Sequence, residues 1–215
     1  MQQRKLEKAV RPRDAASLVI VDSTGQQPRI LMGRRHAKMK FVPDAFVFPG
    51  GKLDPDDLKA QPATPLRLIE RFGAKAQALA MAAVRETFEE TGLVLAKPGQ
   101  VGAETGAGWA DFHARGIAPD LAALSGLARA ITPAQSPIRF HARFFMTDAE
   151  TLKGELKGSG ELEDLDWYPV SEALKLPVID VTEFVLREVQ AIHNGHRRTR
   201  IPLYAYRNNK PVVRA

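Results

Sequence analysis

The chain has 215 residues, 44% apolar and 26% charged, which is length and apolar content for one large globular domain or two small ones. It has no cysteine and no run of about 18 apolar residues, and its N-terminal apolar stretch Ala15–Val21 stops at Asp22 without a small-residue cleavage site; disulfides and thiolate metal sites are excluded, a membrane span and secretory signal are argued against, and a reducing compartment such as the cytoplasm is expected. The formal charge of +6 is concentrated at the ends, with +4 in residues 1–13 and +6 from 193 onward, so the body between them carries −4.

Residues 1–13 read as a loose basic arm, polar and without period. Ala15–Val21 and Arg29–Gly33 are apolar runs separated by the breaker-rich segment 22–28, the pattern of two strands joined as a hairpin. A basic loop, Arg34-Arg-His-Ala-Lys-Met-Lys40, leads to a short strand at Ala45–Phe48 that Pro49-Gly50-Gly51 cuts off. Residues 54–75 read as an inserted loop with a helical turn around Leu66–Ile69. Ala74–Thr91 is predicted to be a helix because Ala, Leu, Met, Arg and Glu dominate it without Pro or Gly, and Gly92 stands where a left-handed cap belongs. Leu121–Ala130 is predicted to form a short helix, Ile138–Met146 and Leu162–Tyr168 strands, and Val181–Ile192 an amphipathic helix. Strands on both sides of a central helix indicate an α/β layered domain over residues 14–192, followed by a basic segment, 193–215.

The chemistry is concentrated in Arg85-Glu-Thr-Phe-Glu-Glu-Thr-Gly-Leu93. On a helix Glu86, Glu89 and Glu90 stand at i, i+3 and i+4, so three carboxylates project from one face. Such a cluster is either a solvated acidic face or the seat of a hard divalent cation, and all-oxygen ligands suit Mg²⁺ or Mn²⁺. Five specified identities, Arg85, Glu86, Glu89, Glu90 and Gly92, coincide by chance in a chain of this length about once in ten thousand, which favours the cation.

With the Pro49-Gly50-Gly51 turn ahead of it, this segment resembles the box of the Nudix hydrolases, in which Gly51 is the first glycine. Against the family pattern Asp57 stands in place of a glutamate, Thr87 replaces a bulky aliphatic residue, and about 20 extra residues, roughly 58–77, precede Arg85. The stretch Phe41–Asp54, with Ile131-Thr132-Pro133, Arg139-Phe140 and Phe144-Phe145, is similar to the branch that includes the peroxisomal coenzyme A diphosphatases, although Val212-Val-Arg-Ala215 is no peroxisomal address.

The resemblance implies an α/β/α sandwich with a mixed sheet and hydrolysis of a phosphoanhydride in a nucleoside-diphosphate derivative, with coenzyme A or an acyl derivative leading and ADP-ribose, nucleotide sugars, nucleoside triphosphates or an RNA cap as rivals. It implies Glu86, Glu89, Glu90 and, from a later loop, Glu161 as metal ligands, with Glu86, Glu89 and Arg85 in catalysis. Arg85, which by helical spacing faces away from Glu86, orients a glutamate in the family. Arg34, Arg35, Gly50 and Gly51 are expected at the substrate, and a homodimer is common in the family. Arg139 and Arg143, on one face of a strand, suit either a phosphate or neighbouring acids, while Trp109 and Phe112 suit packing better than stacking on a base. Tyr204 and Tyr206 among arginines resemble a nucleic-acid-binding pattern, which leaves a silent RNA-binding module as the rival from another class, but Ile201–Tyr206 reads more readily as a strand packed on the domain or on a partner subunit.

Overall fold

The computed structural model describes residues 10–67, 72–103, 105–197 and 199–214. Most of the predicted arm, residues 1–9, lies outside them, as do residues 68 and 69 of the predicted turn in the insertion. Arg13 belongs to no arm, because it opens the first strand.

In chain order the strands are β1 (Arg13–Asp22), β2 (Arg29–Arg35), β3 (Phe46–Val47) and β4 (Gly50–Lys52), followed by helix α1 (Ala76–Thr91). After α1 come β5 (Ala96–Pro98), the short helix α2 (Ala110–Arg115), β6 (Ile117–Pro119), β7 (Ser125–Ile131) and β8 (Phe140–Asp148). The chain then forms β9 (Leu162–Pro169), α3 (Val170–Ala173), α4 (Asp180–His193), β10 (Leu203–Arg207) and β11 (Lys210–Arg214).

The main sheet runs β11-β10-β7-β8-β1-β2-β3, with β4 also paired to β1 and β9 to β2. It is mixed, because β1 lies parallel to β8 and β7 parallel to β10 while the other pairs are antiparallel. The predicted hairpin is present as β1–β2. Strand β1 is buried on both sides, which explains its unbroken apolar run: Ala16, Leu18 and Ile20 pack in the cluster beneath α1, and Val19 and Val21 in the cluster beneath α4. The result is the expected α/β/α layering.

Three expectations need correction or sharpening. Leu121–Ala130 is not a helix: a 3-10 turn at 121–123 is followed by β7, which is paired on one side with β8 and on the other with β10. The helix preference of its Ala and Leu residues amounts to tenths of a kcal/mol per residue, and two flanking strands override about that much. The insertion is anchored rather than looped out, since Phe72 is buried edge-on against Phe145 at 5.0 Å and the Thr64 hydroxyl bonds Asp120. The basic C-terminal segment completes the sheet as the hairpin β10–β11, with Leu203 and Tyr204 in register with Arg129 and Ala130 of β7.

Candidate active site

The predicted strand over 45–48 forms β3, and the Pro49-Gly50-Gly51 turn sends the chain back along β1 as β4, with Ser17 opposite Gly50 and Ala16 opposite Gly51. Gly50 has φ 153°, and a Cβ there would overlap the β1 backbone; a Cβ on Gly51 would overlap the Glu86 carboxylate. The two glycines therefore let α1 bring its carboxylates against the β4 backbone. The helix ends as expected, with Gly92 at φ 74° and its N–H donating to the Phe88 carbonyl.

Arg85 is the hub of the site. Its Nε and Nη2 donate to the two oxygens of Asp57 at 2.8 and 3.0 Å, and its Nη1 lies 3.1 Å from Glu86 Oε1 and 3.2 Å from Glu89 Oε2. The expectation that Arg85 faces away from Glu86 is overturned: helical spacing describes where Cβ atoms point, and a long guanidinium arm curls back across that boundary. Asp57, which departs from the family glutamate, is the fully buried anchor of the hub. A capping box places it, in which Asp56 N–H donates to Asp54 and Asp54 N–H donates to Asp57 Oδ2.

The carboxylates are not equivalent. Glu90 is buried and accepts one hydrogen bond, from Gly50 N–H at 2.9 Å; burial, reinforced by the charges of Glu86 and Glu161, pushes its carboxyl up to about 8. Burial also raises Glu86, against the pull of Arg85. Glu89 is the open one, its side chain 41% exposed. Glu161 is held near by two loop contacts, Lys157 N–H to the Thr91 carbonyl and Ser159 N–H to the Glu90 carbonyl.

Among the described residues no three His, Asp or Glu side chains converge as a finished ligand set, because Glu89 is drawn onto Arg85 and Glu161 stands on a separate loop. The donor chemistry still suits a hard cation. Glu86, half-buried, is raised by burial and by the charges of Glu89 and Asp57, and Glu90 by burial and the charges of Glu86 and Glu161, so negative charge gathers there among oxygen ligand atoms.

Arg85, Glu86, Glu90 and Glu161 open onto a cleft of about 950 Å³ lined also by Gly50 and Gly51 and by Arg35, Lys38 and Lys40 of the basic loop, whereas Glu89 is not among its lining residues. Arg34 does not line it: β-strand alternation turns its side chain to the other side, where it pairs with Asp44, Glu163 and Asp164. The loop that carries Lys38 and Lys40 also holds Val42 and Asp44 at φ 49° and 59°, an uncommon conformation for a β-branched residue. Arg139 reaches the cleft but spends its donors on the Val10 and Thr132 carbonyls, and Arg143 is bound to Asp14 at 2.6 Å. Trp109 and Phe112 are buried against each other at 5.0 Å, as packing residues. From the sequence Asp57 is only a departure from the family glutamate, and nothing local marks Lys52, whose carbonyl accepts from Arg85 Nη2 at 3.4 Å.

A mixed sheet between helices, with a glycine turn beneath a carboxylate-bearing helix, is the arrangement of the Nudix fold. The NUDIX domain model matches residues 11–187, and the chain belongs to that family. A Caenorhabditis elegans protein named as a nudix hydrolase is 30% identical over 176 residues, 75% of this chain, and the chain spans 53% of that relative's length. The crystal structure of a NUDIX hydrolase from Alicyclobacillus acidocaldarius superposes with a TM-score of 0.70 at 30% identity, covering 85% of this chain and 92% of that one. The MutT NUDIX hydrolase structure from Burkholderia pseudomallei shares the fold at a TM-score of 0.51 and 21% identity, over 84% of this chain and 99% of that one.

Proposed function

We propose that the protein is a metal-dependent hydrolase of a phosphoanhydride bond in a small nucleoside-diphosphate derivative, with coenzyme A or an acyl-coenzyme A as the leading substrate. The observation that carries the reading is the buried Glu90 carboxylate beside Glu86, packed on a side-chain-free glycine turn at the head of the cleft. Glu86 and Glu90 would hold Mg²⁺ or Mn²⁺, with Glu89 and Glu161 completing the set. Bound there, the cation supplies neutralisation of the diphosphate oxygens and an acidified water. Glu89, the exposed carboxylate, would accept the water's proton, which supposes that it leaves Arg85 for the cleft once substrate and cation are bound. Arg85 acts as a positioning residue, holding Glu86 and Glu89 from a guanidinium that Asp57 immobilises. Arg35, Lys38 and Lys40 offset substrate charge along the rim.

Support for coenzyme A comes from the sequence likeness over Phe41–Asp54 and from a cleft near the upper end of the range for small-molecule sites, about 300–1,000 Å³. The test is a panel of coenzyme A, an acyl-coenzyme A, ADP-ribose, nucleotide sugars and nucleoside triphosphates incubated with Mg²⁺ or Mn²⁺, products being resolved by chromatography. Cleavage of a diphosphate bridge that fails in Glu86→Gln and Glu90→Gln is the expected result. No cleavage by the native protein, or full activity in both variants, overturns the enzymatic reading. Salt-sensitive RNA affinity lost with residues 197–215 would replace it by a binding module.

A further inference from the structure

Beyond the carboxylates the cleft has a floor with a specific composition. Lys52 of β4 is in register with Ala15 of β1, Ala15 with Ala142 of β8, Ala142 with Ala130 of β7, and Ala130 with Tyr204 of β10. All five line the cleft. In-register residues on neighbouring strands share a face, so three alanines in line make a furrow across the sheet. Strands lie about 4.8 Å apart, and four steps from β4 to β10 make the furrow roughly 19 Å long. Phe140 and Phe144, two positions either side of Ala142, share its face and wall the furrow, and both line the cleft.

The far end is closed by the C-terminal hairpin, which lies beyond the 11–187 family match. Tyr204 is buried there, tilted by 33° against Phe184 of α4 at 5.0 Å and edge-on to Tyr206 at 5.6 Å, while the Tyr206 hydroxyl bonds Asp180. These contacts fix both rings. The end of the furrow is therefore rigid and largely aromatic, in contrast to the acidic head.

We propose that the substrate's second arm, beyond the diphosphate, is an extended chain with an apolar end, that it lies along the Ala15–Ala142–Ala130 furrow, and that Tyr204 sets its length. The proposal rests on the phosphoanhydride reading and names the class of group that the anhydride carries. Side chains larger than Ala at 15 or 142 would fill the furrow, whereas the head of the site is untouched by them.

The probes are adenosine 5′-diphosphate esters of straight alkyl alcohols, ethyl to decyl, and the matching methylene-bridged bisphosphonates, which bind without being cleaved. With Mg²⁺ the native protein should prefer decyl over ethyl by at least tenfold in kcat/KM, since each added methylene finds an apolar wall. That ratio should collapse toward one in Ala142→Leu and in Ala15→Leu, and Tyr204→Ala should shift the preferred length upward. Two variants on different strands guard against one that misfolds, and melting curves identify it. A native ratio near one, or a ratio that survives both variants, overturns the furrow. If nothing is cleaved but the uncleavable decyl analogue binds tighter than the ethyl one and Ala142→Leu removes the difference, the furrow stands and the hydrolase reading falls.

Discussion

The two ends of the cleft are built by opposite means. The head gathers charges that lie close together in sequence, Arg85, Glu86, Glu89 and Glu90 on two turns of one helix, and holds them with ion pairs. The furrow and its far end gather small and aromatic residues from β1, β7, β8 and β10, aligned by strand register and closed by ring contacts with α4. Charge at the head must be neutralised before it is stable, whereas the furrow is stable as it stands. Removing a buried carboxylate at the head should therefore lower activity while raising stability, breaking the Arg85–Asp57 pair beneath it should lower both, and filling the furrow should change which substrate is preferred.

The largest effect is expected at Glu86. Glu86→Gln should lower kcat/KM by about a hundredfold or more, the scale on which disturbed metal sites lose function, and isothermal titration should show weakened Mn²⁺ binding. Next is the anchor: Asp57→Ala leaves the Arg85 guanidinium buried with weakened pairing, and breaking such a pair costs about 3–5 kcal/mol, read as a lower urea midpoint together with lost activity. If Asp57→Ala melts like the native protein, the hub is not what holds the head together.

This ranking also shows what was legible in the sequence. The three glutamates and Gly92 are adjacent, and a helical reading places them correctly. The Arg85–Asp57 pair spans 28 positions across an insertion, so no local period reports it. The furrow is invisible for the same reason, since Ala15, Ala130 and Ala142 are unremarkable until parallel pairing of β1 with β8 and antiparallel pairing of β8 with β7 align them. Leu121–Ala130 reads as helix in isolation because β8 and β10, the partners that make β7 a strand, come later in the chain. Arg34 and Arg35 are neighbours with the same chemistry, and only alternation along β2 separates the one facing acids from the one facing the cleft.

A smaller effect of opposite sign is expected at Glu90. In chelator, Glu90→Gln keeps an oxygen for Gly50 N–H and removes a buried carboxylate, so its Tm should rise, by the equivalent of about 0.5–2 kcal/mol, while hydrolysis is lost. An unchanged or lower Tm would mean that the head carries no electrostatic strain.

The smallest effect tests the face of β8 opposite the furrow. His141 on β8 is held down to about 4, first by burial and then by Arg143, and its Nε2 has no hydrogen-bond partner among the described residues. The unfolded chain takes up that proton near pH 6.5 and the folded chain only near 4, so this group's contribution falls as pH falls through that window. Native protein should lose more stability than His141→Asn between those pH values, as followed by urea midpoints. Parallel curves would show that the imidazole is not withheld from protonation.

Strand β1 gives residue numbering itself a physical meaning. Its even positions 16, 18 and 20 bed the helix that carries the carboxylates, odd positions 15 and 17 pave the cleft, and odd positions 19 and 21 bed α4. Parity therefore sorts which face of the sheet a β1 substitution reaches, and position along the odd face then decides between cleft and α4: changes one residue apart act on opposite faces, while changes two residues apart act on the same one.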